Sequence, residues 1–366
     1  MTVAAVPFAS LTLAEDSVSV RAAIDRVIES GWFVLGPEVE AFEAEFAEIS
    51  GAPCAVGVGT GTDALALILR AIGIGRGDEV ITTPLSAAFT ALAVMMTGAR
   101  PVFADIDPDR LTLDPEAVAA AVTSRTRAVL PVHLYGQPAD MAAIARVASR
   151  HNLAIVEDSC QAHMATCDGQ PVGTIGIAGA FSFYPTKNLG ALGDAGAVVT
   201  RDRALADRIK RLRNGGQTDR YTHQDAGVNS RLDELQAAVL RARMPRLAAW
   251  TNRRRGLAAL YRRELAGSRV RIVPERDAGH VYHLFVVRTT NRQPLQRHLR
   301  AQGIETLVHY PVPIPRQPAL AGEQPATCPI ADVACREVVS LPLHPSLGDA
   351  DVSVVAAAVR SAPSAT

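Results

Sequence analysis

The stretch that decides the fold is CAVGVGTGTDALALILRAIGIGRGDEVITTP, residues 54–84. A short valine-rich run stands first, an alanine- and leucine-rich helical stretch follows, and a second β-branched run closes the segment. This alternation predicts a crossover unit, in which a helix joins two parallel strands. Because the pattern recurs through residues 100–107, 127–159 and 179–200, the sequence predicts an α/β fold with a mainly parallel sheet between helices.

Helical spacing of apolar residues dominates residues 201–214 and 230–265, and Pro245 interrupts the second of these stretches. A proline inside a helical pattern predicts a kink or break, here where the chain leaves its large domain. We therefore expect a large domain over residues 1–245, including an amino-terminal helical segment, and a small α+β domain over residues 246–366.

Two segments of the small domain carry other signals. The proline-rich stretch at residues 311–329 predicts a loop, and residues 361–366 at the carboxyl terminus predict a frayed tail.

Composition limits the classes of function. The chain has 366 residues, 48% of them hydrophobic, and its 37 basic residues balance 37 acidic ones. This balance gives no net field that would attract nucleic acid or an anionic membrane. No apolar run approaches the roughly 20 residues that cross a bilayer, and the amino terminus lacks a leader pattern. The sequence therefore predicts a cytoplasmic protein that binds neither nucleic acid nor membrane.

The cysteines show no pattern of a metal or redox site. They are odd in number and scattered, without the paired short spacing of a zinc site. We expect reduced thiols and no metal. The five residues are Cys54, Cys160, Cys167, Cys328 and Cys335.

Three features follow predicted strands, at the edge where an open α/β sheet collects its ligands. In the first, Gly61 and Thr62 precede a helix whose free amides suit a phosphate group. The alternative is a plain turn that Thr60 or Thr62 caps. In the second, Glu157 and Asp158 close an apolar strand. A carboxylate there can neutralise a cation such as a protonated ring nitrogen, or simply cap the next turn.

The third feature is Lys187, in the stretch AFSFYPTKNLGALGDAGAVV at residues 180–199. A lysine amine can bind a carbonyl cofactor covalently, whereas the alternative is a surface lysine in a flexible loop. The glycines that follow would let the backbone approach a flat ligand. These glycines are Gly190, Gly193 and Gly196.

Together the three features match one cofactor. A phosphate cradle, a carboxylate for a ring nitrogen and a reactive amine are what pyridoxal 5'-phosphate (PLP) requires, and no other common cofactor needs all three. A nicotinamide cofactor fits less well, because VGVGTGTDAL at residues 56–65 lacks the third glycine of the dinucleotide fingerprint.

Several ordered segments resemble one known family between Trp32 and His344. They include GWFVLGPEVEAFEAEFA, GVGTGTDALALIL, VEDSCQAHMA, FSFYPTKNLGALGDAGAVVT and NSRLDELQAAVL. These segments resemble the DegT/DnrJ/EryC1/StrS family of PLP-dependent nucleotide-sugar aminotransferases. The resemblance implies a fold type I PLP transferase, similar to aspartate aminotransferase, that acts as a homodimer with shared active sites.

The resemblance also implies roles for particular residues. Lys187 would bind the cofactor covalently and carry protons during the transfer, and Asp158 would pair with the pyridine nitrogen. Gln161 would lie over or beside the ring. Further members of the predicted site are Gly61, Thr62 and Ser182 at the phosphate, Asn229 at the phosphate of the neighbouring subunit's cofactor, and Tyr184, His309 and Tyr310 near the substrate.

The sequence departs from the family pattern at two places. Relatives carry an aromatic residue in a PxxTF segment that stacks on the pyridine ring. Here Ala87 stands at that place and Phe89 follows two residues later. At residues 213–216 the sequence RNGG lacks the bulkier residue that relatives often have before the last glycine.

The function that follows is a transaminase of amino-sugar and antibiotic biosynthesis. It would move an amino group, with L-glutamate as donor, to a keto group at C-3 or C-4 of a dTDP- or UDP-linked deoxysugar. NSRLDELQAAVL at residues 229–240 favours C-3 slightly. An aminocyclitol transaminase acting on a keto-inositol is the alternative within the family. A DNA-binding regulator is the alternative from another class, because arginines crowd residues 208–263. Such runs usually form a solvated helix face, although some of these arginines could meet a diphosphate.

Overall fold

The computed structural model describes residues 6–320 and 327–363. The strands are β1 (Cys54–Val58), β2 (Glu79–Thr82), β3 (Arg100–Phe103), β4 (Thr126–Leu130), β5 (Ala154–Asp158), β6 (Thr166–Cys167), β7 (Gln170–Pro171), β8 (Ala178–Ser182), β9 (Gly196–Thr200), β10 (Arg271–Ile272), β11 (Phe285–Arg288) and β12 (Val338–Leu341). The helices are α1 (Ser17–Ser30), α2 (Pro37–Ile49), α3 (Gly61–Ala71), α4 (Phe89–Met95), α5 (Pro115–Ala121), α6 (Met141–His151), α7 (Arg203–Arg213), α8 (Glu234–Arg243), α9 (Leu247–Glu264), α10 (Arg292–Ala301), α11 (Pro329–Glu337) and α12 (Asp349–Ser361).

The large sheet has seven strands in the order β1-β9-β8-β5-β4-β2-β3. Pairing is parallel from β8 through β5, β4 and β2 to β3, and β9 runs antiparallel to both of its neighbours. Every residue of β2 and β9 is buried, as expected for strands that helices cover on both faces. The prediction of a mainly parallel, mixed sheet between helices is confirmed.

Helix α3 is the buried helix that connects the sheet to the site. Nearly all of its residues from Ala64 to Ala71 are buried, and it packs against β8, β9, α4 and α7. Its first turn is fixed by Thr60, whose Oγ1 accepts a hydrogen bond from the amide of Asp63 at 3.0 Å. The remaining amides of that turn therefore point out at the carboxyl edge of the sheet.

Pro245 separates two helices, as the sequence predicted. Helix α8 ends at Arg243, a short 3-10 turn spans Met244–Arg246, and α9 begins at Leu247. The break follows from the ring of proline, which removes an amide donor from the helical ladder.

A second core lies beyond this break. Helix α9 packs against α12, and the antiparallel sheet β10-β11-β12 completes the unit. Its core joins Leu257 and Tyr261 of α9 to Phe285 and Val355, and Val6 from the amino-terminal segment packs there too. The domain boundary at residue 245 stays a prediction.

The loop predicted at residues 311–329 contains a 3-10 turn at Ile314–Arg316, and α11 begins at Pro329. Residues 321–326 of that stretch and residues 364–366 of the predicted frayed tail lie outside the described residues. Helix α12 extends to Ser361. Within the described residues, no helix is long and apolar enough to span a bilayer.

Candidate functional site

Lys187 lies in a compact loop rather than a flexible one. Its amide donates to the carbonyl of Tyr184 at 2.8 Å, and the loop returns where the Ala191 amide donates to the Phe183 carbonyl at 2.7 Å. The side chain is half-buried. Burial lowers the pKa of Lys187 below its ordinary value, while nearby Cys160 and Asp158 oppose this shift. Among the described residues its Nζ has neither a hydrogen-bonding nor an ion-pair partner.

Two of the glycines after Lys187 serve a different purpose from the one predicted. A Cβ on Gly190 would lie 2.5 Å from the Pro185 carbonyl oxygen, and one on Gly196 would overlap the Thr60 backbone. These two glycines therefore let backbone segments of the protein meet, and the adjacent space is filled. For Gly190 and Gly196 the prediction of clearance for a flat ligand is wrong, because backbone already fills the space. A Cβ on Gly193 would meet only the Gln236 side chain, at 3.4 Å, so clearance at that position stays a prediction.

Glu157 and Asp158 are neighbours on β5 with separate roles, since successive strand residues face opposite sides of a sheet. Glu157 is fully buried and accepts hydrogen bonds from the amides of Gly173, Ile175 and Gly176. It anchors a loop. Asp158 Oδ2 accepts instead from Thr90 Oγ1 at 2.8 Å. Asp158 is the carboxylate that faces Lys187, although no ion pair within 4 Å joins the two groups in the part of the chain described.

Gly61 brings the predicted phosphate residues together. A Cβ at this position would lie 2.8 Å from the Cβ of Ser182 and 2.7 Å from Cys160 Sγ. The first turn of α3, which also holds Thr62, therefore approaches the end of β8 closely. Any residue other than glycine at position 61 would prevent this approach. Thr60 caps this turn, so the structural alternative raised from the sequence holds as well.

Gln161 connects the segment at Tyr135 to the segment at Tyr310, near the carboxyl edge of the large sheet. Its Oε1 accepts from the Tyr135 amide at 2.7 Å, and its Nε2 donates to Tyr310 Oη at 3.1 Å. The Tyr135 hydroxyl donates in turn to the carbonyl of His309. Burial raises the pKa of Tyr310 to about 12, so its hydroxyl stays protonated at neutral pH. The structure thus brings Gln161, His309 and Tyr310 together.

Two predicted residues lie at the surface. Tyr184 is exposed just beyond β8. Asn229 is also exposed; it bridges to Asn214 and precedes Ser230, whose hydroxyl donates to Asp63 at 2.8 Å. Within one chain Asn229 makes no described contact with Lys187.

The segment that departs from the family pattern supplies a hydrogen bond. Phe89 begins α4 with 62% of its surface exposed, and it borders a hollow together with Thr60 and Thr62. Ala87 is half-buried. The next residue after Phe89, Thr90, is the donor to Asp158.

Two buried histidines near Lys187, His163 and His283, were missed from the sequence. Burial and the Lys187 charge together lower the pKa of His163 to about 3 and that of His309 to about 4. The same causes, with the Arg254 charge, hold the pKa of His283 well below its ordinary value. His163 follows Gln161 by two residues, and this proximity was the only signal in the sequence. At neutral pH these three side chains are uncharged.

His283 connects the second core to the lysine loop. Its Nδ1 lies 3.2 Å from the Asn188 Oδ1, and the Asn188 Nδ2 donates to the Val281 carbonyl at 3.1 Å. Because that amide nitrogen already donates, the Asn188 oxygen accepts and the His283 Nδ1 carries the proton. A cavity of about 1140 Å³ opens here, with Lys187, His283 and His309 in its wall.

These residues fit PLP on chemical grounds. Lys187 offers an amine that has a lowered pKa and no partner in the described part of the chain, and Asp158 offers a carboxylate that accepts a hydrogen bond from a hydroxyl. Gly61 leaves a helix terminus with free amides where a side chain would not fit. No cluster of metal-ligating side chains occurs among the residues described, and all five cysteines are unpaired.

Comparisons with known proteins agree with this assignment. A family model described as the DegT/DnrJ/EryC1/StrS aminotransferase family matches residues 15–360. The dTDP-3-amino-3,4,6-trideoxy-alpha-D-glucose transaminase of Streptomyces venezuelae is 50% identical over 361 residues, which cover 97% of this chain and 95% of that protein. The erythromycin biosynthesis sensory transduction protein EryC1 of Saccharopolyspora erythraea is 50% identical over 350 residues, which cover 93% and 95%. The X-ray crystal structure of S. venezuelae DesV in complex with a ketimine intermediate aligns with a TM-score of 0.94 at 50% identity, covering 97% of this chain and 98% of that one.

Proposed function

This chain belongs to the DegT/DnrJ/EryC1/StrS aminotransferase family, and from that premise we propose that it transfers the amino group of L-glutamate to the C-3 keto group of a dTDP-linked deoxysugar. It is a PLP-dependent transaminase of fold type I. The observation that carries the proposal is the Lys187 amine, which lies in the wall of the large cavity and has no partner within the described ranges of the chain. The printed name of the Streptomyces venezuelae relative, a 3-amino sugar transaminase, supports the choice of C-3 and dTDP.

PLP supplies an aldehyde that binds the donor's nitrogen covalently and a ring that accepts an electron pair from the reacting carbon. Lys187 would hold the cofactor, and Asp158 would keep its ring nitrogen protonated. Gln161 would lie against the ring. The phosphate would meet the amides of Gly61 and Thr62 together with the Ser182 hydroxyl, because these groups converge at the start of α3.

Lys187 is also the base that this chain offers for proton transfer. Its lowered pKa increases the share of neutral amine at working pH, which can take a proton from the donor carbon. In the second half-reaction, the same Nζ would deliver a proton to the carbon of the keto sugar that receives the nitrogen. His163 and His283 do not compete for this proton, because burial keeps their pKa values low.

The exposed Tyr184 and the pair His309 and Tyr310 would contact the sugar substrate. Of these three residues, His309 lines the cavity of about 1140 Å³ next to Lys187, and that volume is large enough for a nucleotide-linked sugar, since ligand pockets commonly span about 300–1,000 Å³. Its wall extends from Lys187 to residues of the amino-terminal segment such as Phe8 and Ser10.

The enzyme would act as a homodimer. An apolar patch formed by Trp32, Phe33, Val34 and Leu192 flanks the start of α8, and each of these side chains is exposed in the single chain. The Glu234 amide donates to the Phe33 carbonyl at 3.1 Å, and the Leu192 amide donates to the Gln236 Oε1 at 2.8 Å, so both residues adjoin the start of α8. Such a patch favours burial against a second copy. Asn229 of one copy would then reach the cofactor phosphate of the other.

Five unpaired thiols support a reducing compartment, which for this enzyme would be the cytoplasm. The regulatory name carried by the Saccharopolyspora relative does not favour DNA binding here, because the net charge is zero. An aminocyclitol acceptor remains the alternative that the experiment below separates.

The test is a substrate panel read in two stages. Purified enzyme is first mixed with L-glutamate alone, and the visible absorption of the bound cofactor should shift. Glutamate is then combined with dTDP- and UDP-linked 3-keto and 4-keto sugars and with a keto-inositol, and products are identified by mass and NMR. We expect a 3-amino dTDP sugar. A Lys187→Ala variant should form none. Amination of the keto-inositol alone would refute the proposal.

A further inference from the structure

Two buried hydroxyls, those of Ser86 and Thr90, lie at the start of α4. Only 4% of the surface of Ser86 and 2% of that of Thr90 is exposed. The Thr90 Oγ1 lies 2.8 Å from Asp158 Oδ2 and 3.2 Å from Ser86 Oγ. The three side chains therefore form one chain of hydrogen bonds, and we call its two hydroxyls the Ser86–Thr90 relay.

The direction of each hydrogen bond in the relay follows from the hydrogens that are available. A carboxylate has no hydrogen to give, so the Thr90 hydroxyl donates to Asp158. A hydroxyl carries a single hydrogen, so Thr90 has none left for Ser86, and the Ser86 hydroxyl donates to Thr90 Oγ1. Donation along such a chain polarises each hydroxyl, which strengthens the bond that Thr90 makes to the carboxylate.

The relay holds one oxygen of Asp158, and the neighbouring backbone holds the other. The Cys160 amide donates to Asp158 Oδ1 at 3.2 Å, and Thr90 makes the shorter bond to Oδ2. No salt bridge fixes this carboxylate within the described ranges of the chain. The orientation of Oδ2 therefore depends on the relay.

The backbone that carries the relay is itself anchored. Pro84 precedes Ser86 by two residues, and its carbonyl accepts from the Ile314 amide at 2.8 Å. Thr90 is β-branched, which limits its side chain to few rotamers. The relay thus forms a firm connection from the segment after β2 to the end of β5.

The residues between the two hydroxyls contribute no polar side chain. Ala87 and Ala88 offer only methyl groups, and Phe89 has 62% of its surface exposed. A buried hydroxyl costs free energy unless it is hydrogen-bonded, and the relay directs both hydroxyls to the carboxylate that faces Lys187. This segment therefore serves the candidate site through Asp158.

We propose that the Ser86–Thr90 relay positions Asp158 and keeps the proton that this carboxylate shares with PLP on the ring nitrogen. The inference rests on the proposed role of Asp158 and adds the residues through which the chain maintains that role. A hydrogen bond donated to a carboxylate stabilises its charged form. Thr90 therefore favours an ionised Asp158 beside a protonated ring nitrogen, and a protonated ring accepts an electron pair more readily. Both hydroxyls are positioning groups, because they act through Asp158.

The binding test compares PLP with 1-deazapyridoxal 5'-phosphate, in which a C–H group replaces the ring nitrogen. Both ligands keep the aldehyde and the phosphate, so the ratio of their affinities reports on the contact with Asp158. Apoprotein of the full chain is titrated with each ligand by calorimetry. The wild type should bind PLP about a hundredfold more tightly than the analogue, because a hydrogen bond between charged groups is absent in the analogue.

Thr90→Val should lower this ratio by about tenfold, because Asp158 loses a donor to its charged form. Ser86→Ala should lower the ratio by about threefold, since the bond from Thr90 remains and only its polarisation is lost. Thr90→Ser keeps a hydroxyl and should recover most of the wild-type ratio. An unchanged ratio in Thr90→Val would refute the inference.

The matched control is Thr112→Val. Thr112 is buried with 1% of its surface exposed, and its Oγ1 has no hydrogen-bonding partner among the residues that the structure describes. The same substitution there should leave both affinities within about twofold of the wild type, because no hydrogen bond is lost. Equal weakening of both ligands in Thr90→Val would show a general structural effect and would overturn the inference.

Protonation of the ring nitrogen is measured separately by NMR of holoenzyme loaded with PLP that is isotope-labelled at that nitrogen. In Thr90→Val the resonance should move toward that of neutral pyridine, and in Ser86→Ala it should move less far in the same direction. The double variant should match Thr90→Val, because Ser86 acts only through Thr90. Additive shifts in the double variant would contradict the relay.

Steady-state kinetics should show the same division. Thr90→Val should lower kcat by about tenfold and leave the KM for L-glutamate within about threefold, because the ring proton acts in the reaction and not in donor binding. A change confined to KM would refute the inference. A wild-type protein that binds PLP and the analogue equally would refute the proposed role of Asp158 itself, and this measurement comes before any variant.

Discussion

Glu157 and Asp158 are adjacent on β5, and their side chains point to opposite faces of the sheet. One therefore stabilises the fold, and the other faces the candidate site. Glu157 points to the face of β5 where three backbone amides and the His133 ring surround it. Asp158 points to the opposite face, where Thr90 and Lys187 lie. Both are buried acids in the sequence ED, and only the direction of the side chain distinguishes them.

This difference gives a paired prediction. Glu157→Gln should lower the free energy of unfolding by about 2–4 kcal/mol, because a neutral amide replaces a carboxylate that accepts several amide donors. Its kcat should stay close to the wild-type value. Asp158→Asn should lower kcat by about 10²–10⁴ with a smaller effect on stability, because the proton on the cofactor ring is no longer held. Urea titration and steady-state kinetics on both variants check this, and an inverted pattern would refute the assignment.

At the scale of the element, the junction between α3 and β8 decides where a phosphate can lie. The terminus of α3 is an anion site only because Gly61 lets it approach Ser182. Fold type I is confirmed by the comparisons, and the phosphate role of this junction remains a proposal.

Gly61→Ala should weaken PLP binding by about tenfold or more, because the new Cβ would lie 2.7 Å from Cys160 Sγ and must displace the turn. PLP affinity is measured by reconstitution of the apoprotein and the visible absorption. Gly256→Ala is the matched control, since Gly256 lies inside α9 and a Cβ at that position would meet no atom within 4 Å beyond its own helix backbone. That control should stabilise the fold by about 0.5–1 kcal/mol and leave PLP binding unchanged. Unaltered PLP affinity in Gly61→Ala would contradict the proposal that the phosphate of PLP binds at the start of α3.

At the scale of the whole molecule, buried neutral histidines make the free energy of unfolding depend on pH. Burial lowers the pKa of His163 and His280 to about 3 and that of His309 to about 4, with His283 well below its usual range. The unfolded chain binds these protons near pH 6.5 and the folded chain does not, so stability falls as pH drops below about 6.5. Glu79, whose pKa its hydrogen bonds lower to about 2, acts in the same direction below about pH 4.5.

We expect the free energy of unfolding to fall between pH 6 and 4.5 by about 1.4 kcal/mol per pH unit for each of these histidines. His163→Leu should make the slope shallower by one such increment, because leucine removes the titrating ring and keeps an apolar side chain at this buried position. Urea midpoints measured from pH 7.5 to 4.5 give the slope for both proteins. An unchanged slope in the variant would show that His163 titrates normally in the fold.

The proposed dimer predicts complementation between two inactive variants. Lys187→Ala and Asn229→Ala should each reduce activity strongly, although Asn229 is exposed within one chain. Co-expression should restore about a quarter of wild-type activity, because half of the dimers are mixed and each mixed dimer contains one intact site. Sedimentation verifies that mixed dimers form. No recovery in confirmed mixed dimers would show that Asn229 does not act across subunits.

Local patterns predicted much of this protein. The alternation of β-branched and alanine-rich runs determined the layered α/β fold, and the ring of Pro245 determined the break before α9. The cofactor was predicted from Lys187, Asp158 and the helix start at Gly61. An amine, a carboxylate and free helix amides are properties of the residue types and of the local sequence. What only the tertiary structure decided is which groups meet. Packing buried Arg254 out of a charged run, neutralised His163 and His283, and filled the space beside Gly190 and Gly196 with backbone. Burial and charge proximity arise from contacts between segments distant in the sequence, and no local pattern encodes them.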